Sequence, residues 1–274
     1  MNKEIKILVA CHKEDPQIRN GGIYFPIQVG KDLHPDIDLG FQCDNTGDNI
    51  SAKIGSYCEL TALYWAWKNL KNVDIIGLAH YRRYLDVNEA RILNILSKND
   101  IILPKPVIFP YSNYTHLCIE TTREDVFILL KLIQKYYPDV FPSTFNYLFQ
   151  NNRWYQGNIF ITQYEIFKEY CEWLFDVLDL VKIHVKESPY FRGKRLLGYF
   201  GEVLLPIFVS YKKLGYDLYK IMGSVKSQGL IRNIRNELSY FIACYSPKNK
   251  YHKFVVPDDT LNSFKVDDIE IGTI

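Results

Sequence analysis

Val73–Ala79 (VDIIGLA), followed at once by His80-Tyr81-Arg82-Arg83-Tyr84, decides how this chain is read. The run is apolar on consecutive residues rather than on alternate ones. That pattern marks a strand covered on both faces, as in the parallel sheet of an α/β protein. In such sheets ligands bind beyond the carboxyl ends of the strands. The cationic, aromatic cluster at 80–84 therefore falls where a ligand is expected.

Working outward, Tyr57, Leu60, Leu63, Tyr64, Trp67 and Leu70 recur at spacings of three and four and predict a helix over 57–70. Lys6–Cys11 (KILVAC) predicts an earlier buried strand that ends at His12-Lys13. Residues 13–56, rich in Asp, Gly, Asn and Pro, read as loop, and so much loop implies a function. Downstream come a strand near Asp100–Leu103, a helix over 124–136, a strand at Asn158–Thr162 (NIFIT), helices over 163–182 and 192–213, and a strand at Tyr216–Ile221. Strands alternating with helices predict an α/β fold with a mixed, mostly parallel sheet. One domain is expected over 1–222, followed by a helical C-terminal elaboration over 223–274. There Lys226, Arg232, Arg235, Lys248, Lys250 and Lys253 lie among apolar residues. Such a stretch either rests on an anionic membrane or packs as a terminal helix with a solvated basic face.

Composition narrows the function class. With 33 Lys and Arg against 31 Asp and Glu, the net charge of +2 gives no reason to expect nucleic acid as a partner. The six Cys are scattered, with no C-x-x-C pair and no zinc spacing. The start lacks the apolar core of a signal peptide, and no run of about 18 apolar residues is present. A cytoplasmic protein with reduced thiols is the expectation. No phosphate-binding P-loop, dinucleotide glycine fingerprint or nucleophile elbow occurs.

Within this frame certain residues are candidates for chemistry. Arg82 and Arg83 match phosphate oxygens in a bidentate way and stay charged at every relevant pH; a solvated loop with surface ion pairs is the alternative. Asp44, Asp48 and Asn49 stand in a Gly-containing loop, Asp44–Ser51 (DNTGDNIS). It meets a ribose or sugar, binds a hard cation through oxygen ligands, or forms Asx turns that cap the following helix. Glu59 lies off the apolar stripe, where it favours the helix dipole or orients an arginine of the 80–84 loop. Tyr155 and Asn158 flank Gln156-Gly157 in a pattern suited to presenting polar groups to a sugar, and Tyr199 offers a ring to an acceptor. Glu202 stands inside an apolar helix segment, where a carboxylate either pairs, here with Arg192 or Arg195, or acts as a general base.

KILVACHK at 6–13, GDNIS at 47–51, YCELTALYWAWKN at 57–69 and GLAHYRRYL at 77–85 together resemble the family DUF4422. GNIFI at 157–161, WLFDVL at 173–178 and GYFGEVLLPIF at 198–208 extend the likeness to about residues 5–215. Members occur among capsular and exopolysaccharide glycosyltransferases. The resemblance implies a GT-A-like fold, with one nucleotide-binding domain whose C-terminal half builds the acceptor side. It implies transfer of a sugar, with galactose in pyranose or furanose form as a candidate, from a nucleotide donor such as a UDP-sugar to a lipid-linked glycan. A cytoplasmic setting is expected, and the enzyme is peripheral at the inner face of the plasma membrane if the basic 223–274 stretch rests there.

Where many GT-A enzymes close a strand with Asp-x-Asp to hold Mn²⁺ or Mg²⁺, this chain has His80-Tyr81-Arg82. Metal-independent catalysis is therefore expected, with arginines supplying the positive charge. His80, Arg82 and Glu202 take the catalytic roles. His12, Asp44, Asp48, Asn49, Arg83, Arg192 and Arg195 bind the donor; Tyr155, Asn158 and Tyr199 bind the acceptor. Glu202 is the base if the reaction inverts the anomeric centre. The alternative is a non-catalytic glycan-binding subunit of a polysaccharide assembly system.

Overall fold

A computed structural model of the chain describes residues 3–186, 193–223 and 238. In chain order its first half contributes β1 (Ile5–Cys11), β2 (Tyr24–Gln28), β3 (Gln42–Cys43), α1 (Ile54–Tyr57), α2 (Leu60–Asn69), β4 (Ile75–His80), β5 (Arg83–Leu85), α3 (Glu89–Leu96), β6 (Ile101–Pro104) and β7 (Val107–Ile108). Its second half adds α4 (Asn113–Glu120), α5 (Arg123–Tyr136), α6 (Phe141–Phe149), β8 (Arg153–Trp154), β9 (Phe160–Gln163), α7 (Tyr164–His184), α8 (Leu196–Tyr211), β10 (Tyr216–Tyr219) and β11 (Ile221–Gly223).

The main path of the sheet runs β10-β6-β9-β4-β1-β2-β3. Every neighbouring pair on it is parallel except those made by β9, which is antiparallel to both β4 and β6. Both faces are covered, which explains the unbroken apolar runs. Ile5, Ile7 and Val9 of β1 join Ile92 and Ile95 of α3 on one face. Leu8 and Ala10 join the larger core built with α2, α5, α7 and α8 on the other. β4 repeats the alternation, with Ile75 and Ala79 on the first face and Ile76 and Leu78 on the second. This is the mixed, mostly parallel α/β architecture expected.

The predicted helix over 57–70 is broken. Cys58 takes φ 51°, ψ −132°, so α1 stops at Tyr57 and α2 starts afresh at Leu60. Residues 13–56 are less irregular than expected, since they hold β2 and β3. Pro26 interrupts the strand signal of β2, because proline within an apolar run argues against a central strand. The last predicted strand divides in two: β10 pairs with β6, and β11 pairs antiparallel with β5. The basic segment that follows lies outside the described residues, apart from Leu238. Among the described residues no helix is long and apolar enough to cross a membrane.

Candidate active site

β1, β2 and β4 are parallel, so their carboxyl ends share one edge of the sheet, and β9 brings its amino end to that same edge. β4 finishes at His80. Tyr81 and Arg82 then turn the chain back, so that His80 pairs with Arg83 at the start of β5. The segment before β9 arrives opposite, and the two strands are joined there by side chains. His80 Nε2 lies 2.6 Å from the carbonyl oxygen of Gly157. A carbonyl only accepts, so Nε2 carries the proton.

Glu59 sits beside this contact because of the kink at Cys58. It stands just ahead of α2, is 8% exposed, and places Oε1 3.6 Å from His80 Nε2. Asn158 Nδ2 donates to Glu59 Oε1 at 2.8 Å and to the Gly198 carbonyl at 3.4 Å. Asn158 is buried with φ 53°, and its Oδ1 has no partner. Glu202 completes the cluster from the first turns of α8. Its Oε2 accepts from the indole N–H of Trp154 at 2.9 Å, and it takes a further hydrogen bond from the backbone of Gly157.

Gly157 thus serves both sides, accepting from His80 and donating to Glu202. Its φ of 78° suits glycine, and a Cβ there would stand 3.3 Å from His80 Nε2. Burial pushes the Glu202 carboxyl up from 4.5 to about 7, and the charge of Glu59 pushes the same way. The Trp154 and Gly157 hydrogen bonds and the nearby Arg83 pull against that rise without cancelling it. A carboxylate with this affinity is a competent proton acceptor near neutral pH.

A second group lies where β1 ends. Arg82 donates from Nε and Nη2 to Asp15 Oδ2 at 2.8 and 2.6 Å. His12 packs edge-on against Tyr81, with centroids 5.5 Å apart. Burial, then Lys13, Arg82 and His34, lower its basicity. Asp15 also lines a cavity of about 530 Å³ with Glu14, Pro16, Ile18, Leu39 and Phe41. On the α8 side, Arg195 Nε donates to Cys58 Sγ at 3.3 Å, and its guanidinium lies over Tyr199, 5.4 Å from the ring centroid.

The structure brings together His80, Asn158 and Glu202, with Arg83 near enough to act on the Glu202 charge. The other expected donor and acceptor residues have different surroundings. Asp44 is fully buried and accepts from the backbone N–H groups of Gly30 and Lys31 and from the Ser51 hydroxyl, so it ties loops together. Asp48 accepts from Tyr64 and is bracketed by Asn69, at the far end of α2 from Glu59. That separation is about 15 Å along the helix. Its neighbour Asn49 is spent on the turn, bonding Gly47 and Ser51. Tyr155 lines a cavity of about 290 Å³ with Leu103, Asn146 and Tyr216. Arg192 lies outside the described residues, and Arg195 engages Cys58 rather than Glu202.

Sequence reasoning missed Trp154 and Gly157 as partners of Glu202 and Asp15 as the partner of Arg82. Gly157 carried a signal, a glycine just ahead of an apolar strand. Asp15 carried none, because its partner is 67 residues away.

The place at the end of β4 where a divalent cation would be held does not fit one. His80 spends its Nε2 on Gly157, Arg82 is cationic, and among the described residues no group of three or more His, Cys, Asp or Glu side chains could hold a metal.

A family model described as "Domain of unknown function (DUF4422)" matches residues 6–213. Among solved structures, the apo form of WbbM, described as a bifunctional glycosyltransferase, superposes with a TM-score of 0.75 at 27% identity. The match covers 82% of this chain and 46% of that protein, so the chain spans less than half the length of its structural relative. Nothing among curated proteins matches.

Proposed function

Since the chain belongs to the DUF4422 family, we propose that it is a glycosyltransferase working at the crevice beyond β1 and β4. The observation that carries this reading is Glu202, a carboxyl held near pH 7 at the ligand-binding edge of an α/β sheet. The likeness to a glycosyltransferase at 27% identity supports it.

The donor is a nucleotide sugar, a UDP-sugar in the first instance. Its base fits the cavity of about 530 Å³ between Phe41 and Pro16, next to Asp15. Its diphosphate lies toward Arg82 and Arg83, whose charge stabilises the leaving group as the glycosidic bond breaks. On the acceptor side, Glu202 takes the hydroxyl proton as the oxygen attacks the anomeric carbon. Glu59 and Asn158 hold His80 and the 157–158 turn in place. The acceptor is a lipid-linked glycan of capsule, exopolysaccharide or O-antigen synthesis, reached at the inner face of the plasma membrane.

Thermal unfolding with UDP, GDP, CMP and dTDP, each with Mn²⁺ and with EDTA, tests the donor half. A ligand at about 100 times its Kd stabilises by about 2.7 kcal/mol, several degrees for a chain of this size. The reading expects a shift with UDP that survives EDTA. A shift that needs Mn²⁺ would overturn the metal-free account, and no shift with any nucleotide would favour the glycan-binding subunit.

A further inference from the structure

Three rings stand in near-parallel planes beside the Glu202 cluster. Phe109 stacks on Tyr111 with centroids 5.2 Å apart and planes 6° apart, and on His116 at 4.1 Å and 23°. His116 in turn meets Trp154 edge-on at 4.5 Å, and Trp154 holds Glu202 through its indole N–H. A continuous line of contacts therefore runs from half-buried Tyr111 and Phe109 to the carboxyl assigned as the base.

The platform is anchored by backbone hydrogen bonds on both sides. The backbone N–H of Phe109 donates to Asn152 and its carbonyl accepts from the Asn152 amide, while β7 pairs with β8 just before it. Ser112 caps α4 directly after it. Glu120, one turn beyond His116 on the same face of α4, hydrogen-bonds Tyr199, which lies three residues before Glu202 on α8. Two routes thus lead from one helix face to one stretch of α8: a ring route through Trp154 and a polar route through Tyr199.

An aromatic surface linked through His116 and Trp154 to a carboxylate is suited to a sugar ring, whose C–H face stacks on a π-face while its hydroxyls meet polar groups. The groups the donor reading uses, Arg82, Asp15 and the cavity lined by Phe41, lie where β1 and β4 end. We propose that Tyr111 and Phe109 form the subsite for the terminal sugar of the acceptor, presenting one of its hydroxyls to Glu202. The identification of Glu202 as the base rests on the transferase reading. The ring platform itself does not.

In the transfer step the acceptor O–H gives its proton to Glu202 and its oxygen forms the bond to the anomeric carbon. The bond from that carbon to the diphosphate breaks, and its electron pair leaves on the phosphate oxygen. Stacking on Tyr111 and Phe109 fixes which hydroxyl points at Glu202.

The test is saturation-transfer NMR with the methyl glycosides of galactose, glucose, mannose and N-acetylglucosamine, run on the full chain, Tyr111→Ala, Phe109→Ala and Tyr111→Phe. UDP-induced stabilisation is measured alongside on each protein. The proposal expects at least one glycoside to bind the wild type and to bind both alanine variants about tenfold more weakly. Tyr111→Phe, which keeps the ring, should bind as the wild type does, and the UDP response should be equal in all four. Equal glycoside binding by wild type and Tyr111→Ala would overturn the subsite, as would no binding to the wild type. Ring-dependent glycoside binding without any response to UDP would leave the subsite standing and remove the UDP-donor reading instead.

Discussion

At Glu202 the linkage between pH and stability can be given a sign. The folded chain raises this carboxyl from 4.5 to about 7, so between those values it holds more protons than the unfolded chain does. Stability therefore falls as pH rises from about 4.5 to about 7, and the full cost, about 3 kcal/mol, applies above that. Glu202→Gln removes the charge while keeping an acceptor for Trp154. It should melt several degrees above the wild type at pH 8 and no higher at pH 4, readable by calorimetry across pH. Gly157→Ala should act in the opposite direction. Its φ of 78° and the 3.3 Å approach to His80 make the variant about 1–2 kcal/mol less stable, with a weakened Glu202–His80 arrangement. A melting point equal to that of the wild type would refute the strain.

At the scale of elements, the kink at Cys58 does most to shape the site. Apolar spacing alone predicts one helix over 57–70 and leaves Glu59 on its outer side. Breaking the helix at φ 51° restarts α2 one residue after Glu59 and turns that carboxylate inward, to Asn158 and His80. Periodicity records side-chain spacing and is blind to a single left-handed residue within it, so this part of the site was not legible. The buried runs of β1 and β4 were, because strands covered on both faces need unbroken apolar stretches. β2 was not, since Pro26 lies within it.

The loop carrying Asp44 makes its own prediction. Asp44→Ala strands two backbone donors and a hydroxyl, costing about 3 kcal/mol in urea unfolding. Protein that remains folded should bind UDP as tightly as the wild type does. A weakened UDP affinity in that variant would return Asp44 to the donor site.

For the molecule as a whole, the antiparallel course of β9 makes the crevice possible. Six strands of the main path point one way; the seventh, reversed, delivers Gly157 and Asn158 to the edge where β4 delivers His80. The α/β class follows from the alternation of elements. That one strand is reversed does not, because NIFIT reads as the same buried strand in either direction. Pairings such as Arg82 with Asp15 and Trp154 with Glu202, 67 and 48 residues apart, exist only once the sheet is assembled.

The measurement that bears most directly on the central claim is the pH profile of kcat/KM for sugar transfer by the wild type and Glu202→Gln. The account predicts a wild-type rate that rises with pH through about 7, tracking loss of the Glu202 proton, and a variant lower by about 10²–10⁴-fold that has lost this limb. A variant within about tenfold of the wild type that keeps the same rise would contradict it and take Glu202 out of the mechanism.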